Sequence, residues 1–157
     1  MDQHRPLEVL LVEDNPADIR LFQEVIYEEH LPHHVSIAVN GEDALDYLFQ
    51  KNQYAGATRP DVVLLDLNLP IIDGHQVLRT MKADPGLRSI PVIVFSSSAA
   101  ASDINLSYAE NAACYISKPK DLDGFIKVCR ALQSFWFTLV QLPDADHRAV
   151  AHVPAGR

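Results

Sequence analysis

Five short apolar runs recur along the chain and limit the folds that it can adopt. Most of the runs are rich in Val, Ile and Leu, a composition typical of buried β-strands. The runs are EVLLV (8–12), HVSIAV (34–39), DVVLLD (61–66), PVIVF (91–95) and CYIS (114–117). Runs without alternating polar residues belong in the middle of a parallel sheet, where both faces of a strand are covered. The sequence therefore predicts a parallel sheet of five strands.

The segments between these runs have apolar residues at the spacing of amphipathic helices. The marker positions are Ile19, Phe22 and Ile26; Ala44, Leu45 and Leu48; Val77, Leu78 and Met81; and Leu122, Phe125, Ile126, Cys129 and Leu132. Asn15, followed by Pro16, and Asn40 are predicted to begin the first two helices, because Asn is a common N-cap and Pro fits the first helical position. Residues 100–112 are alanine-rich and weakly amphipathic, and we expect the fourth helix there. Strands that alternate with helices indicate a doubly wound α/β domain.

The composition fits one domain with a short appendage. The chain has 157 residues, of which 48% are hydrophobic, enough for one substantial core. We expect a single domain over residues 1–143, ending in an extended helix, and a short disordered tail over residues 144–157. No stretch approaches the roughly 20 apolar residues that span a bilayer, and the N-terminus resembles no secretion signal. We therefore expect a cytoplasmic protein that does not bind membranes.

Charge and special residues argue against several other classes of protein. The net charge of -8 disfavours direct nucleic-acid binding, which needs clustered Lys and Arg. Cys114 and Cys129 lie in predicted apolar elements without CxxC spacing, so we expect small buried side chains and no disulfide. The seven histidines lack the spacing of a zinc site, and we expect no zinc.

Carboxylates stand where the first and third predicted strands end. Glu13 and Asp14 follow EVLLV, and Asp66 ends the third run. Because the carboxyl ends of parallel strands meet at one edge of a sheet, we expect these three acids to lie together. Two like charges about 4 Å apart repel by roughly 4 kcal/mol at an effective dielectric near 20, so the cluster requires a positive charge or a retained proton. A hard divalent cation such as Mg²⁺, which prefers oxygen ligands, is the simplest solution.

Hydroxyl groups and an ammonium group follow the last two predicted strands. PVIVF is followed by three serines, residues 96–98, and CYIS by Lys118. Together with the acids, this set suits phosphoryl transfer to a carboxylate. In that reaction Asp66 is the nucleophile, Lys118 and the metal neutralise the phosphoryl oxygens, and Ser96 donates a hydrogen bond. Gly74 is expected to be only a turn residue.

With this set of residues, the sequence resembles the receiver domains of two-component response regulators, the CheY-like domains. The resemblance covers about residues 7–140 and rests on VEDNP, LLDLNLPIIDG, FSSS and YISKP. It implies a flavodoxin-like (βα)5 fold with strand order 2-1-3-4-5 and helices on both faces of the sheet. It also implies that a sensor histidine kinase supplies the phosphoryl group, and that the output surface consists of the fourth helix, the fifth strand and the fifth helix.

The resemblance assigns the acids of the predicted site. Asp66 corresponds to the phosphoacceptor. The implied metal ligands are Asp14, Asp66 and the backbone carbonyl of Asn68, with Glu13 acting through a water molecule. Mg²⁺ is the implied cofactor, and Mn²⁺ can replace it. Glu13 is a mild departure from the family, in which Asp is commoner at this position.

The resemblance also assigns the residues that respond to phosphorylation. Ser96 corresponds to the switching Thr or Ser, Tyr115 to the aromatic residue that changes rotamer, and Lys118 to the family's lysine. Ser96 is the second mild departure, because Thr is commoner there. Phosphorylation is expected to draw Ser96 toward the phosphoryl group and to let Tyr115 turn inward.

The C-terminal sequence SFWFTLVQLP (134–143) has two interpretations. Leu132 and Trp136 continue the apolar stripe of the last helix, whereas Phe135 and Phe137 are predicted to face other directions. One interpretation is packing on the domain, and the other is a homodimer interface, since exposed aromatic patches mark association sites. The interface candidates are Phe135, Trp136, Phe137 and Leu139. This ending is similar to that of the small stand-alone regulators of phytochrome-type histidine kinases, which implies such a kinase as the partner.

Three other functions share some of these features. A phosphatase of the haloacid dehalogenase type also uses an aspartyl nucleophile, but it needs a second acid two positions on, where this chain has Asn68. A flavodoxin-like FMN-binding role is disfavoured because the loop after the first strand is acidic. A receiver-like binding module that works without phosphorylation is the main alternative, and a Mg²⁺ titration would separate it from a phosphoacceptor switch. The leading hypothesis is a switch and not an enzyme.

Overall fold

The computed structural model describes residues 6–28 and 33–143, except for the side chain of Leu139. The strands are β1 Glu8–Val12, β2 His34–Ala38, β3 Val62–Leu65, β4 Val92–Ser96 and β5 Cys114–Ser117. The helices are α1 Pro16–Glu28, α2 Gly41–Leu48, α3 Gly74–Ala83, α4 Ala101–Ala109 and α5 Leu122–Ser134. A 3-10 turn spans Asn52–Tyr54, and a π-helical turn, Phe135–Leu139, follows α5. The predicted tail over residues 144–157 lies outside the described residues.

The five strands form one parallel sheet in the order β2-β1-β3-β4-β5. This order reverses between β1 and β3, which is where ligands bind in sheets of this type. Val12 of β1 pairs with Leu65 of β3, so the residues that follow them emerge side by side. The predicted flavodoxin-like fold and strand order are confirmed.

The core consists of two apolar layers, one on each face of the sheet. Leu10 and Val12 pack with α2 and α3, whereas Val9 and Leu11 pack with α1 and α5, because successive side chains of a strand point to opposite faces. All four residues of β3 are fully buried. The continuous apolar runs of the sequence therefore correspond to strands covered on both sides, and each buried Val or Leu contributes about 1.5–3 kcal/mol.

Helix starts follow the sequence signals closely. The side-chain oxygen of Asn15 accepts hydrogen bonds from the backbone N–H groups of Ala17 at 2.9 Å and Asp18 at 3.3 Å. Asn40 accepts one from the N–H of Asp43 at 2.7 Å. Both predicted caps are confirmed. In contrast, α4 has no side-chain cap, and Ser107 is its one buried residue.

The C-terminal turn departs from the prediction. Phe137 is only 6% exposed and stacks edge-on against Phe22 and His33, whereas Phe135 is 52% exposed. The prediction that Phe137 faces away from the core is wrong, because it assumed an α-helix. In the π-helical turn the N–H of Val140 donates to the carbonyl of Phe135 at 2.9 Å, an i to i+5 bond that widens the turn and rotates Phe137 inward.

The membrane prediction can be compared with the helices themselves. Within residues 6–28 and 33–143, every helix is too short or too polar to cross a bilayer.

The two cysteines follow the predicted burial in part, since Cys129 is buried and Cys114 is half-buried.

Candidate functional site

The carboxyl ends of β1 and β3 place two buried acids side by side. The backbone N–H of Asp66 donates to the carbonyl of Val12 at 3.0 Å, and that of Glu13 donates to the carbonyl of Ala38 at 2.9 Å. These bonds continue the sheet one residue past each strand. The side chains of Glu13 and Asp66 consequently emerge at one edge of the sheet, where both are buried.

Asp14 completes a cluster of three carboxylates. One oxygen each from Glu13, Asp14 and Asp66 lies within 4.8 Å of the others. Backbone N–H groups orient two of the acids, since Asn15 donates to Glu13 and Asn68 donates to Asp66, both at 3.2 Å. A set of close oxygen donors fits a hard cation such as Mg²⁺ or Mn²⁺. The acids that the sequence predicted to meet are therefore together in the structure.

Lys118 contacts this cluster from the end of β5. Its Nζ donates to Glu13, to Asp18 at 2.9 Å and to Asp66 at 3.2 Å. Its backbone N–H donates to the carbonyl of Ser96 at 2.7 Å, which fixes the residue beside β4. Burial disfavours the charged ammonium, but the hydrogen bonds to Glu13 and Asp18 and the charges of Glu13 and Asp66 outweigh this effect and raise the pKa of Lys118. Lys118 is thus a permanent cation within the site.

One ammonium group does not neutralise the acids around it. Burial, together with the charge of Asp66, raises the pKa of Glu13 from 4.5 to about 7, although the hydrogen bond from Lys118 acts in the opposite direction. Without a metal, the cluster keeps a proton on Glu13 under mildly acidic conditions. This is one of the two outcomes that charge repulsion predicted.

Asp18 is a site residue that the sequence did not reveal. It lies in the first turn of α1, and its carboxylate pairs with Lys118. Asp18 also lines an open hollow at this edge of the sheet. The residues that line the hollow are Glu13, Asp14, Asn15, Pro16, Asp18, Asp66, Asn68, Ser97 and Lys118. The only available signal was its position one helical turn after Asp14, next to the end of β1.

Ser96 and Tyr115 both form hydrogen bonds to Ser98 in the β4–α4 loop. Ser96 is fully buried, and its Oγ accepts a hydrogen bond from the N–H of Ser98 at 3.4 Å, while Ser97 lines the hollow. The hydroxyl of Tyr115 donates to the carbonyl of Ser98 at 2.7 Å, and its ring packs against the core. Tyr115 therefore contacts both the core and the β4–α4 loop.

A polar chain extends from this loop to α3. The Oγ of Ser98 donates to Asp103 at 2.6 Å, and a second oxygen of Asp103 lies 3.3 Å from a ring nitrogen of His75. The other ring nitrogen of His75 lies 3.4 Å from Glu110, which also pairs with Arg79 at 3.1 Å. The hydrogen bonds from Ser98 and His75 lower the pKa of Asp103. These contacts connect α3 to both ends of α4, and the sequence pattern did not predict them.

The β3–α3 loop is tightly constrained beside Asp66. A Cβ on Gly74 would lie 2.3 Å from the carbonyl oxygen of Asp66 and 2.6 Å from the Cα of Leu67, so only glycine fits. The role of Gly74 is thus close packing rather than a simple turn. Ile71 has a φ of 71°, a left-handed conformation that is strained for a β-branched residue.

Comparison with known proteins identifies the family. The family model for the response regulator receiver domain matches residues 9–130. Response regulator Rcp1 from Synechocystis sp. is 39% identical over 144 residues, which cover 92% of this chain and 98% of Rcp1. The family-model match includes the strand ends at which the acids and Lys118 lie.

Solved structures show the same similarity. The Mn²⁺-bound form of Rcp1 has a TM-score of 0.86 and 40% identity, covering 88% of this chain and all 100% of that one. The phosphorylated cyanobacterial phytochrome response regulator RcpA has a TM-score of 0.86 and 43% identity, covering 89% of this chain and 100% of that one. The predicted resemblance to receiver domains, and to phytochrome response regulators among them, is confirmed. The chain therefore belongs to the response regulator receiver domain family.

Proposed function

We propose that this protein is a phosphorylation-dependent switch that accepts a phosphoryl group from a sensor histidine kinase on Asp66. The observation that supports this role most directly is the position of Asp66. Its carboxylate lies within 4.8 Å of an oxygen of Glu13 and of Asp14, and it accepts a hydrogen bond from the ammonium group of Lys118 at 3.2 Å. A nucleophilic carboxylate that also contacts a cation and a candidate metal site has the surroundings that phosphoryl transfer requires.

Mg²⁺ is the proposed cofactor, and Mn²⁺ the proposed substitute. Asp14, Asp66 and the backbone carbonyl of Asn68 would hold the metal, and Glu13 would act through a water molecule. The donor set supports this assignment because it consists of oxygen atoms. When bound, the metal supplies positive charge that offsets the phosphoryl oxygens.

The residues of the chain perform the remaining steps. An oxygen of Asp66 forms a bond to phosphorus as the bond from phosphorus to the histidine nitrogen of the kinase breaks. Lys118 orients and neutralises phosphoryl oxygens. Ser96 turns its hydroxyl from the N–H of Ser98 toward the phosphoryl group. Since Tyr115 is bonded to the carbonyl of Ser98, a shift of this loop is transmitted to Tyr115 and to the surface of α4, β5 and α5.

The relatives support the choice of partner. RcpA, which covers 89% of this chain, is a phytochrome response regulator. We therefore propose a phytochrome-type histidine kinase as the phosphodonor. We propose that residues 1–143 act as one cytoplasmic receiver unit with no enzymatic activity of its own and no nucleic-acid ligand.

We also propose a homodimer in which Phe135 and Trp136, which contact each other, lie at the interface. Phe137 is buried within its own chain, and the side chain of Leu139 lies outside the described residues.

Intact-mass spectrometry tests the proposed chemistry. The parent protein and Asp66→Asn are incubated with acetyl phosphate, with and without Mg²⁺. We expect the parent to gain one phosphoryl group only with Mg²⁺, and the variant to gain none. A gain in both proteins would exclude Asp66 as the acceptor, and no gain in the parent, together with no Mg²⁺ binding, would favour a phosphorylation-independent binding module.

A further inference from the structure

All three N–H donors of the Lys118 ammonium group are in use, and each points at a different carboxylate. Two of the acceptors, Glu13 and Asp66, have roles in the proposed function, but the third, Asp18, has none. A lysine has only three such donors. Asp18 therefore occupies one third of the hydrogen-bonding capacity of the cation that the phosphoryl group is proposed to use.

Asp18 is placed to act on the site as a fixed negative charge. Its side chain is 24% exposed, compared with 8% for Lys118, so it lies at the mouth of the hollow rather than beneath it. It belongs to the first turn of α1, at the end of the helix where acidic residues are favoured. Asp18 is also held by its backbone, because its N–H donates to Asn15 at 3.3 Å. An incoming anion consequently meets a lysine whose charge is already partly offset.

We propose that Asp18 is a positioning residue that holds Lys118 and sets the charge balance of the site. It strengthens the binding of a divalent cation to the acid cluster and weakens the attraction of the site for a phosphoryl anion. The anion part of this inference rests on the proposed phosphoacceptor role of Asp66, and the cation part rests on the proposed Mg²⁺ site.

The two effects have opposite signs, which makes Asp18→Asn informative. Asn keeps a hydrogen-bond acceptor for Lys118 but removes the charge. We expect the Mg²⁺ affinity, measured by isothermal titration calorimetry, to fall about 3- to 10-fold, as for one unit charge acting on a divalent ion several ångströms away in screened solvent. At saturating Mg²⁺, the initial rate of phosphorylation by acetyl phosphate, followed by intact mass, should rise by a similar factor of about 3 to 10.

Two further variants serve as controls. Asp18→Glu keeps the charge, so its Mg²⁺ affinity and its phosphorylation rate should both stay near the parent values. Glu24→Gln removes the same charge from the same helix, at an exposed residue that pairs with Arg20 at 3.1 Å and is absent from the hollow. We expect Glu24→Gln to leave both quantities unchanged, because an exposed and screened charge has little effect beyond its own surroundings.

The outcomes separate this inference from the proposed function. A fall in both Mg²⁺ affinity and phosphorylation rate in Asp18→Asn would contradict the opposite signs that the inference requires, and no change in either would show that Asp18 has no role; both results overturn the inference. If the parent itself gains no phosphoryl group, the proposed function fails, and the Mg²⁺ titration alone still decides whether Asp18 strengthens cation binding.

Discussion

Replacing Glu13 by Gln is expected to remove a pH dependence from the stability of the metal-free protein. The pKa of Glu13 rises from 4.5 to about 7 on folding, chiefly because its carboxyl group is buried. The folded protein therefore binds this proton more tightly than the unfolded chain does. It follows that the folded state is favoured at low pH and that this contribution is lost as the pH rises from 4.5 to 7.

The size of the effect follows from the two pKa values. A difference of about 2.5 between them corresponds to about 3 kcal/mol of unfolding free energy, at 1.36 kcal/mol for each unit. Lys118 adds no slope in this range. Its pKa is raised above 10.5, so its stabilising effect is complete at lower pH and is lost only in strong alkali.

Urea unfolding in the presence of a chelator measures this difference. The free energy of unfolding of the parent and of Glu13→Gln is determined at pH 5 and at pH 7.5. We expect the parent to lose about 2 kcal/mol more than the variant between these two conditions, because part of the full effect falls below pH 5 and a small part above pH 7.5. Mg²⁺ should stabilise the parent more at pH 7.5 than at pH 5, because the metal and the proton compete for the same acids.

The comparison between variants isolates Glu13 from the other acids that titrate in this range. Glu24→Gln, which changes an exposed carboxylate, should follow the parent at both pH values. Parallel pH profiles for the parent and Glu13→Gln would refute the reasoning, since they would show that Glu13 is already ionised in the metal-free fold.

Three further predictions concern the β3–α3 loop and the C-terminal turn. Gly74→Ala should destabilise the fold by about 1–3 kcal/mol, because the new Cβ overlaps the backbone of Asp66, and it should slow phosphorylation; urea unfolding and intact mass measure the two effects. Ile71→Asn should stabilise the fold by about 0.5–1 kcal/mol, because Ile71 is 71% exposed and Asn tolerates its left-handed backbone; an unchanged unfolding midpoint would contradict the proposed strain. Phe135→Ser should shift the gel-filtration position toward the monomer, whereas Tyr27→Ser, at an aromatic residue that is 81% exposed, should not; equal behaviour would remove Phe135 from the interface.

The acid cluster could be predicted because strand ends are easy to locate in this sequence. Glu13, Asp66 and Lys118 each follow an apolar run, and parallel topology brings the ends of such runs to one edge. Their proximity follows from the strand order, whereas their burial and the hydrogen bonds of Lys118 are known only from the structure. The fold was predictable for the same reason, since continuous apolar strands and amphipathic helices leave few other arrangements.

Other features depend on geometry that apolar periodicity does not specify. Asp18 is one of several acids on α1, and the helical pattern does not show which of them reaches Lys118. Phe137 was assigned to the wrong direction because a π-helical turn changes the rotation per residue, and no residue type marks such a turn reliably. The contacts of Ser98 with Asp103 and Tyr115 arise from loop conformation, which local sequence specifies only weakly.

The low burial of α4 affects which surface substitutions this protein can tolerate. Ser107 is the one residue of this helix that is buried, so most of its outward positions can be substituted without disturbing the apolar core. Surface changes of that kind usually alter stability by no more than about 0.5 kcal/mol. Substitutions on the outward positions of this helix are therefore expected to leave the acids at the sheet edge undisturbed.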